Sequence, residues 1–398
     1  MRLIYLDHNA TTPVRPEVLE AMLPYLREHY GNASSLHTFG RTARKAVEEA
    51  RGRLAHLIHA EPDDLVFTGC GSEADSMALK GVAFANRRHG SHLVTTNVEH
   101  QAVLDTCRYL AERFGFEVTY LPVDAAGLLR LDDLRQALRP DTILVSIMHA
   151  NNEVGVIQPL DACADVVRDF SQQIGRRVYL HSDCVQSLGK LPIDVRRLDV
   201  DLLTFSGHKL YAPKGVGALY VREATVMDAL INGGHQELNR RGGTENVAGI
   251  VALGAACALA EAEMGAEARR LAALRDRLEA GILGAIPEAR VNGDAAPRLP
   301  NTLNLSIAGV DGESLLINLD LEGIAVSTGS ACSSGSVEPS HVLRAMGVDK
   351  EYIRGSVRLS LGHGTSAADV DATLEVMTRV VERMRQLSPQ WEDARALR

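Results

Sequence analysis

The sequence predicts an α/β protein: a large domain built on a mostly parallel seven-stranded sheet, followed by a smaller α+β domain. Three observations carry this. Short β-branched runs alternate with longer helical runs over the first two thirds of the chain, which implies crossover connections and a sheet covered on both faces. Five of those runs end in uncommon polar residues, and ligands in open α/β sheets sit beyond the carboxyl ends of the strands. Past residue 260 the character changes to long charged helices with only three further strand candidates.

Leu65-Val-Phe-Thr68 is the first strand candidate, and a glycine-rich turn leads from it into a helical run over 73–85. His92–Thr96 and 116–120 follow. Segments 142–148 and 178–181 are apolar enough for strands buried on both faces. Segments 200–205 and Gly217–Val221 complete the seven. An Ala-rich helix is expected around 247–263, and a separate charged helix over 266–285. Strands at 301–306, 323–327 and 356–361 and an amphipathic helix over 366–387 form the smaller unit. The expected domains are 15–259, and 1–14 together with 260–398.

Composition narrows the function. The 398 residues suffice for two or three domains at about 150 residues each. The 42 Lys and Arg against 51 Asp and Glu give a net charge of −9, which argues against a nucleic-acid-binding surface. Six cysteines at 70, 107, 163, 184, 257 and 332 contain no CxxC pair. That fits neither a disulfide framework nor a zinc ribbon and points to a reducing, cytoplasmic setting. The start of the sequence has no signal-peptide core, and the longest uncharged apolar stretch, 246–260, is too short to span a bilayer. It reads as a buried helix, with no membrane partner.

The chemistry is expected just past the strands. Gly69-Cys-Gly-Ser-Glu73 opens a helix; free N–H groups there bind phosphate, although in isolation a simple Ser-capped turn is the better reading. Ser206-Gly-His-Lys209 follows a buried strand, where partial desolvation turns a lysine into a nucleophile for carbonyls. Ser206 and His208 are placed to hold a phosphate beside Lys209, and Lys214 is a more solvated competitor. Asp183 ends another buried strand and must face a cation, as in the Lys and Asp pairing of pyridoxal phosphate sites, or cap a helix. A metal site from His181, Asp183 and Cys184 is disfavoured because alternate residues of a strand face opposite ways. His100 is either structural or a ring-stacking proton carrier. Arg358, inside an apolar strand, needs an anion: a substrate carboxylate or an internal ion pair. Seven of the ten residues in Ser327-Thr-Gly-Ser-Ala-Cys-Ser-Ser-Gly-Ser336 are Ser or Gly, so a flexible loop carrying an exposed, reactive Cys332 is expected.

These motifs resemble the cysteine desulfurases of the NifS/IscS type, fold-type I pyridoxal phosphate enzymes. The matching stretches run from Tyr5-Leu-Asp-His-Asn-Ala-Thr-Thr-Pro13 through Met148-His-Ala-Asn-Asn-Glu-Val-Gly155, His181-Ser-Asp-Cys-Val-Gln-Ser187, Phe205-Ser-Gly-His-Lys209 and Arg241-Gly-Gly-Thr-Glu-Asn246 to Ser330-Ala-Cys-Ser-Ser-Gly-Ser336. The resemblance implies that Lys209 carries the cofactor covalently, Asp183 pairs with the pyridine nitrogen and His100 stacks on the ring. Gln186 and Asn152 would contact the cofactor and substrate, while Gly71, Ser72, Ser206 and His208 cradle the phosphate. Thr244 would reach the other subunit's phosphate in a homodimer, and Asn32 and Arg358 would hold the carboxylate of L-cysteine. Cys332, in the loop 327–340, would take the sulfur as a persulfide, leaving L-alanine, and pass it to an iron–sulfur scaffold or another acceptor; it would also be a transient iron–sulfur ligand. Four positions depart from the family pattern: Ala33, Ser72, Cys184, which would add a thiol near the cofactor beside that of Cys70, and Leu238 after Glu237. Another pyridoxal phosphate lyase and a non-catalytic scaffold are the competing readings.

Overall fold

The computed structural model describes residues 3–328, 339–387 and Trp391. Cys332 lies outside the described residues. In chain order the strands are β1 (Ile4–Tyr5), β2 (Leu65–Thr68), β3 (His92–Thr96), β4 (Glu117–Leu121), β5 (Thr142–Ser146), β6 (Tyr179–Asp183), β7 (Leu202–Ser206), β8 (Gly217–Val221), β9 (Ala289–Val291), β10 (Thr302–Ile307), β11 (Ile324–Ala325) and β12 (Ser356–Ser360). Seven of them form one sheet in the order β2-β8-β7-β6-β5-β3-β4. All neighbours are parallel except β8, which runs antiparallel to both β2 and β7.

The burial of each strand follows from its place. Every residue of β5, β6 and β7 is buried, as expected where helices cover both faces. At the edge, β4 exposes Glu117 and Tyr120. One face packs on helices Thr38–Leu57 and Leu160–Gln173 and the start of helix Val247–Ala285, through Leu54, Val167, Phe205 and Leu253. The other packs on helices Gly71–Ala85 and Gln101–Phe114, through Met77, Leu79, Cys107 and Leu110.

A second core is centred on the antiparallel sheet β12-β10-β9. It joins Leu303, Leu305 and Val357 to Leu278 and Ile282 of helix Val247–Ala285, to Leu315 and Leu319, and to Met377 and Val380 of helix Ala367–Gln386. The N-terminus also belongs here: β1 pairs with β11, and Ile4 and Leu6 are buried in this core.

The two helices expected over 247–263 and 266–285 are one helix of 39 residues. Gly265 lies inside it with its Cα facing open space apart from the Arg269 side chain. A helical glycine costs about 1 kcal/mol, which packing on both flanking halves outweighs. Its apolar first part, from Ala248 to Cys257, is buried in the large core, so its hydropathy is explained by burial. Strand 116–120 shifts by one residue to Glu117–Leu121, and 323–327 shortens to Ile324–Ala325.

A buried ion pair ties the far edge together. Arg51 donates from Nη1 and Nη2 to both carboxylate oxygens of Glu237 at 2.9 Å, and Glu237 also accepts the Phe67 N–H at 2.8 Å. Glu237 therefore keeps its partner whatever stands at 238, and Leu238 is exposed. Both members of the pair are buried, so removing Glu237 leaves the Arg51 charge with only the more exposed Glu48. Glu237→Ala is expected to destabilise the protein by about 3–5 kcal/mol, read as a shift in the denaturant midpoint. A loss under about 1 kcal/mol would match a surface pair instead.

Candidate active site

The carboxyl ends of the parallel strands and the segment around Asn9 enclose a cavity of about 290 Å³. Its wall includes Gly71, Ser72, His100, Asn152, Asp183, Gln186, Ser206, His208, Lys209 and Arg358. Ten residues singled out from sequence thus meet in one place.

Lys209 ends a single 3₁₀ turn after β7. Its Nζ donates to the carbonyls of Asn9 and Ala10, each at 2.6 Å. Asp183 is the last residue of β6, and its Oδ1 accepts the Val185 N–H at 2.8 Å. Burial pushes this carboxyl up, and His100 and Lys209 pull it back down. His100 caps helix Gln101–Phe114, its Nδ1 accepting from the Ala102 N–H at 3.1 Å. That bond fixes the ring against the cavity. His208 Nδ1 meets Thr11 Oγ1 at 3.1 Å, and burial lowers the imidazole to about 4, so it is neutral at neutral pH.

Helix Gly71–Ala85 begins at the cavity with Cys70 as its cap, Sγ accepting from the Glu73 N–H at 3.4 Å. The first N–H groups of a helix have no intrahelical acceptor and favour an anion. A Cβ on Gly71 would lie 2.9 Å from Val185 Cγ2 and 3.4 Å from Ser206 Cβ. Only glycine leaves that approach open.

Arg358 makes the internal ion pair, one of the two readings that the sequence left open. Its Nη2 pairs with Asp7 Oδ1 at 2.8 Å and its Nη1 donates to the Asn152 carbonyl at 2.8 Å. The side chain still lines the cavity, and its Nε has no hydrogen-bond partner.

Other expected residues are elsewhere. Asn32 is exposed, its Oδ1 accepting the Ser34 N–H at 2.9 Å, and Thr244 is exposed; neither lines the cavity. Cys184 is a correction: it is fully buried in the large core, with Sγ 3.9 Å from Ser182 Oγ. The alternation at the end of β6 sends Asp183 to the cavity and Cys184 away from it. Cys70 does line the cavity, while Cys107, Cys163 and Cys257 are core residues.

The ends of the Cys332 segment are anchored beside the cavity. Ser327 exchanges two backbone hydrogen bonds with Arg358, at 3.1 and 2.6 Å. Downstream, Ser340 Oγ donates to Glu153 Oε2 at 2.5 Å, and His341 Nε2 bonds the Glu99 carbonyl at 3.0 Å.

Sequence reasoning missed four residues. Asn9 and Ala10 offer backbone carbonyls, which no side-chain pattern reveals. Asp75, one turn into helix Gly71–Ala85, is buried, and its Oδ1 has no hydrogen-bond partner. Ligand atoms of Asp75, His100 and Asp183 lie within 4.8 Å of one another, and burial, then Asp183, raise the Asp75 carboxyl well above the usual range. Lys190, four residues past Gln186, holds that residue's side chain from behind. By contrast His181 is structural, its ring bonded to Ser146 and Thr204 hydroxyls at 2.9 and 3.0 Å.

Glu99, at the end of the loop after β3, is fully buried; its Oε1 accepts from Thr96 and from the Met148 N–H, and its Oε2 has no partner. Burial raises the carboxyl from 4.5 to about 8. A raised acid binds its proton more tightly when folded, so this stability is complete below about pH 4.5 and lost as pH rises through 8. Glu99→Gln should match the parent's melting temperature near pH 4.5 and exceed it above pH 8. Parallel melting curves across that window would show Glu99 already ionised in the fold.

The chain matches the model of the class-V aminotransferase family over residues 4–373. It is 51% identical over 388 residues to the cysteine desulfurase IscS of Dictyoglomus turgidum, covering 98% of this chain and 97% of that protein. It is 50% identical over 388 residues to IscS of Methanosarcina thermophila, covering 98% and 94%. Among solved structures, a NifS-like protein superposes with a TM-score of 0.90 at 37% identity, covering 96% of this chain and all of that one. SspA in complex with cysteine superposes with a TM-score of 0.79 at 35% identity, covering 90% and 98%. With its cavity residues at the strand ends and this likeness along nearly its whole length, the chain belongs to the class-V aminotransferase family, among its cysteine desulfurases.

Proposed function

We propose that this protein converts L-cysteine to L-alanine with pyridoxal phosphate and retains the sulfur as a persulfide on Cys332. The observation that carries the reading is the convergence of Lys209, Asp183, His100 and the Gly71 helix start on one cavity, with both anchored ends of the Cys332 segment beside it.

The residues present fit the cofactor. The glycine-only approach at Gly71, with the Ser72 and Ser206 hydroxyls and His208, suits the phosphate. The buried Asp183 carboxylate suits a protonated pyridine nitrogen. The Asp75, His100 and Asp183 cluster also has the spacing of a cation site, and a ring cation meets the same demand. When bound, pyridoxal phosphate supplies an electron sink that makes the substrate Cα–H acidic.

The chain's own groups do the rest. Lys209 Nζ, held by the Asn9 and Ala10 carbonyls, takes and returns the Cα proton. His100 bounds the cavity face and moves protons at near-neutral pH. The Arg358 guanidinium at the cavity wall receives the substrate carboxylate, an interaction for which a guanidinium fork is suited. The Cys332 thiolate attacks the substrate sulfur: an S–S bond forms, the substrate C–S bond breaks, and the three-carbon product leaves protonated as alanine. The persulfide then passes to an acceptor for iron–sulfur assembly or another thio-cofactor, with Cys332 able to serve as a transient cluster ligand.

A homodimer completes the site through Thr244 and is supported by exposed apolar surface at Tyr30, Leu36 and Phe39, where the Tyr30 and Phe39 rings stack at 5.9 Å. Light scattering at a monomer mass would overturn it.

Cys332→Ala is expected to lower alanine and sulfide formation from L-cysteine by at least about 100-fold while the cofactor's absorption remains; undiminished turnover would favour a lyase acting without a persulfide. Gly71→Val should weaken pyridoxal phosphate binding to the apoprotein by about tenfold or more, the scale of one lost charge-assisted contact. An unchanged dissociation constant would place the phosphate elsewhere.

A further inference from the structure

Behind Gln186, outside the cavity lining, stands a second lysine. Lys190 Nζ donates to the Gln186 side-chain Oε1 at 3.1 Å and to the Gln186 backbone carbonyl at 2.9 Å. On its other side Gln186 Nε2 donates to the Asn9 carbonyl at 3.0 Å. The two partners decide the amide's orientation by chemistry alone. A backbone carbonyl can only accept, so the atom facing Asn9 must be the nitrogen; the protonated Lys190 amine, which burial lowers to about 7, can only donate, so the atom facing it is then the oxygen. Reversing the amide would set N–H against ammonium and oxygen against oxygen. Gln186 lines the cavity, and Nε2 carries a second N–H that Asn9 does not use.

We infer that Lys190 is a positioning residue that locks the Gln186 amide so that the cavity is offered a donor and never an acceptor. This rests on the functional reading above together with the family resemblance, which implies that Gln186 contacts the cofactor near its phenolic oxygen. With the cofactor bound, a donor from Gln186 at that oxygen would stabilise its anionic form. Without Lys190 the Asn9 carbonyl alone holds the amide, so the reversed orientation, with an oxygen where an anion must sit, gains population. Lys190 acts in this way only through Gln186, which separates the lock from the simple effect of a nearby positive charge, such as the one Lys209 and Arg358 exert on Lys190 itself.

The test is a spectrophotometric pH titration of the cofactor's visible band in the holoenzyme, without substrate. Lys190→Met should raise the midpoint by about one pH unit, the scale of one hydrogen bond to a charged group. Lys190→Gln keeps a polar tether but can present either end of its own amide, so it should raise the midpoint too; it serves if the Met variant does not fold. In a Gln186→Ala background, already shifted, Lys190→Met should add nothing, because coupled residues are non-additive. A wild-type midpoint in Lys190→Met or Lys190→Gln overturns the proposal. An undiminished further shift in the Gln186→Ala background also overturns it, since Lys190 would then act through its charge. Absence of a titrating band in the wild-type protein would instead overturn the functional reading on which the lock rests.

Discussion

The site depends on where one residue, Asn9, crosses the fold. Its carbonyl receives both Lys209 Nζ and Gln186 Nε2. Its side chain donates to the Asn152 carbonyl at 3.2 Å and to Thr302 Oγ1 at 2.9 Å, and accepts from Asn301 at 3.0 Å. Its own N–H donates to Ser360 Oγ at 2.9 Å. Asn9 is almost wholly buried, so each of these groups needs a partner. One residue thereby ties strand ends of the seven-stranded sheet to β10 and β12. The N-terminal strand β1 is what delivers it there, paired to β11 and buried through Ile4 and Leu6.

That crossing brings groups from both cores into one low-dielectric space, and burial shapes their acid–base behaviour. Carboxyls rise, as at Asp75, Asp183 and Glu99, and bases fall, as at His208 and Lys190. Each shift penalises an uncompensated charge. A cavity set up in this way has a use for a ligand with a cationic ring and an anionic arm, because such a ligand supplies counter-charges at both ends. Arg358 shows the same logic on the small sheet, neutralised on one side by Asp7 while its side chain lines the cavity and its buried Nε has no hydrogen-bond partner.

The Cys332 segment gains its position from its anchors. Ser327 is zipped to Arg358, and Ser340 and His341 are held by Glu153 and the Glu99 carbonyl. These anchors come from different elements of the large sheet and the small one, so the segment starts and ends where both units meet the cavity.

Much of this was legible in the sequence. All seven strands of the main sheet were readable from β-branched and apolar runs, because a strand buried on both faces carries few charged residues, as β5 and β7 do. The residues at and just past those strand ends named nine of the ten wall residues, Arg358 lying instead inside β12, since buried polar groups at strand ends require partners and so stand out. Local pattern could not join helix Val247–Ala285 across Gly265, because packing on two cores outweighs a glycine's propensity. The expectation of a second thiol near the cofactor at Cys184 ignored the strand alternation that the sequence already showed, which sends Asp183 and Cys184 to opposite faces. The backbone carbonyls of Asn9 and Ala10, the unpartnered carboxylate oxygen of Asp75 and the grip of Lys190 on Gln186 were decided only by tertiary structure. Carbonyls carry no residue signature, and contacts between residues some 200 positions apart in the chain, as between Lys209 and Asn9, exist only once the sheet has closed over the N-terminus.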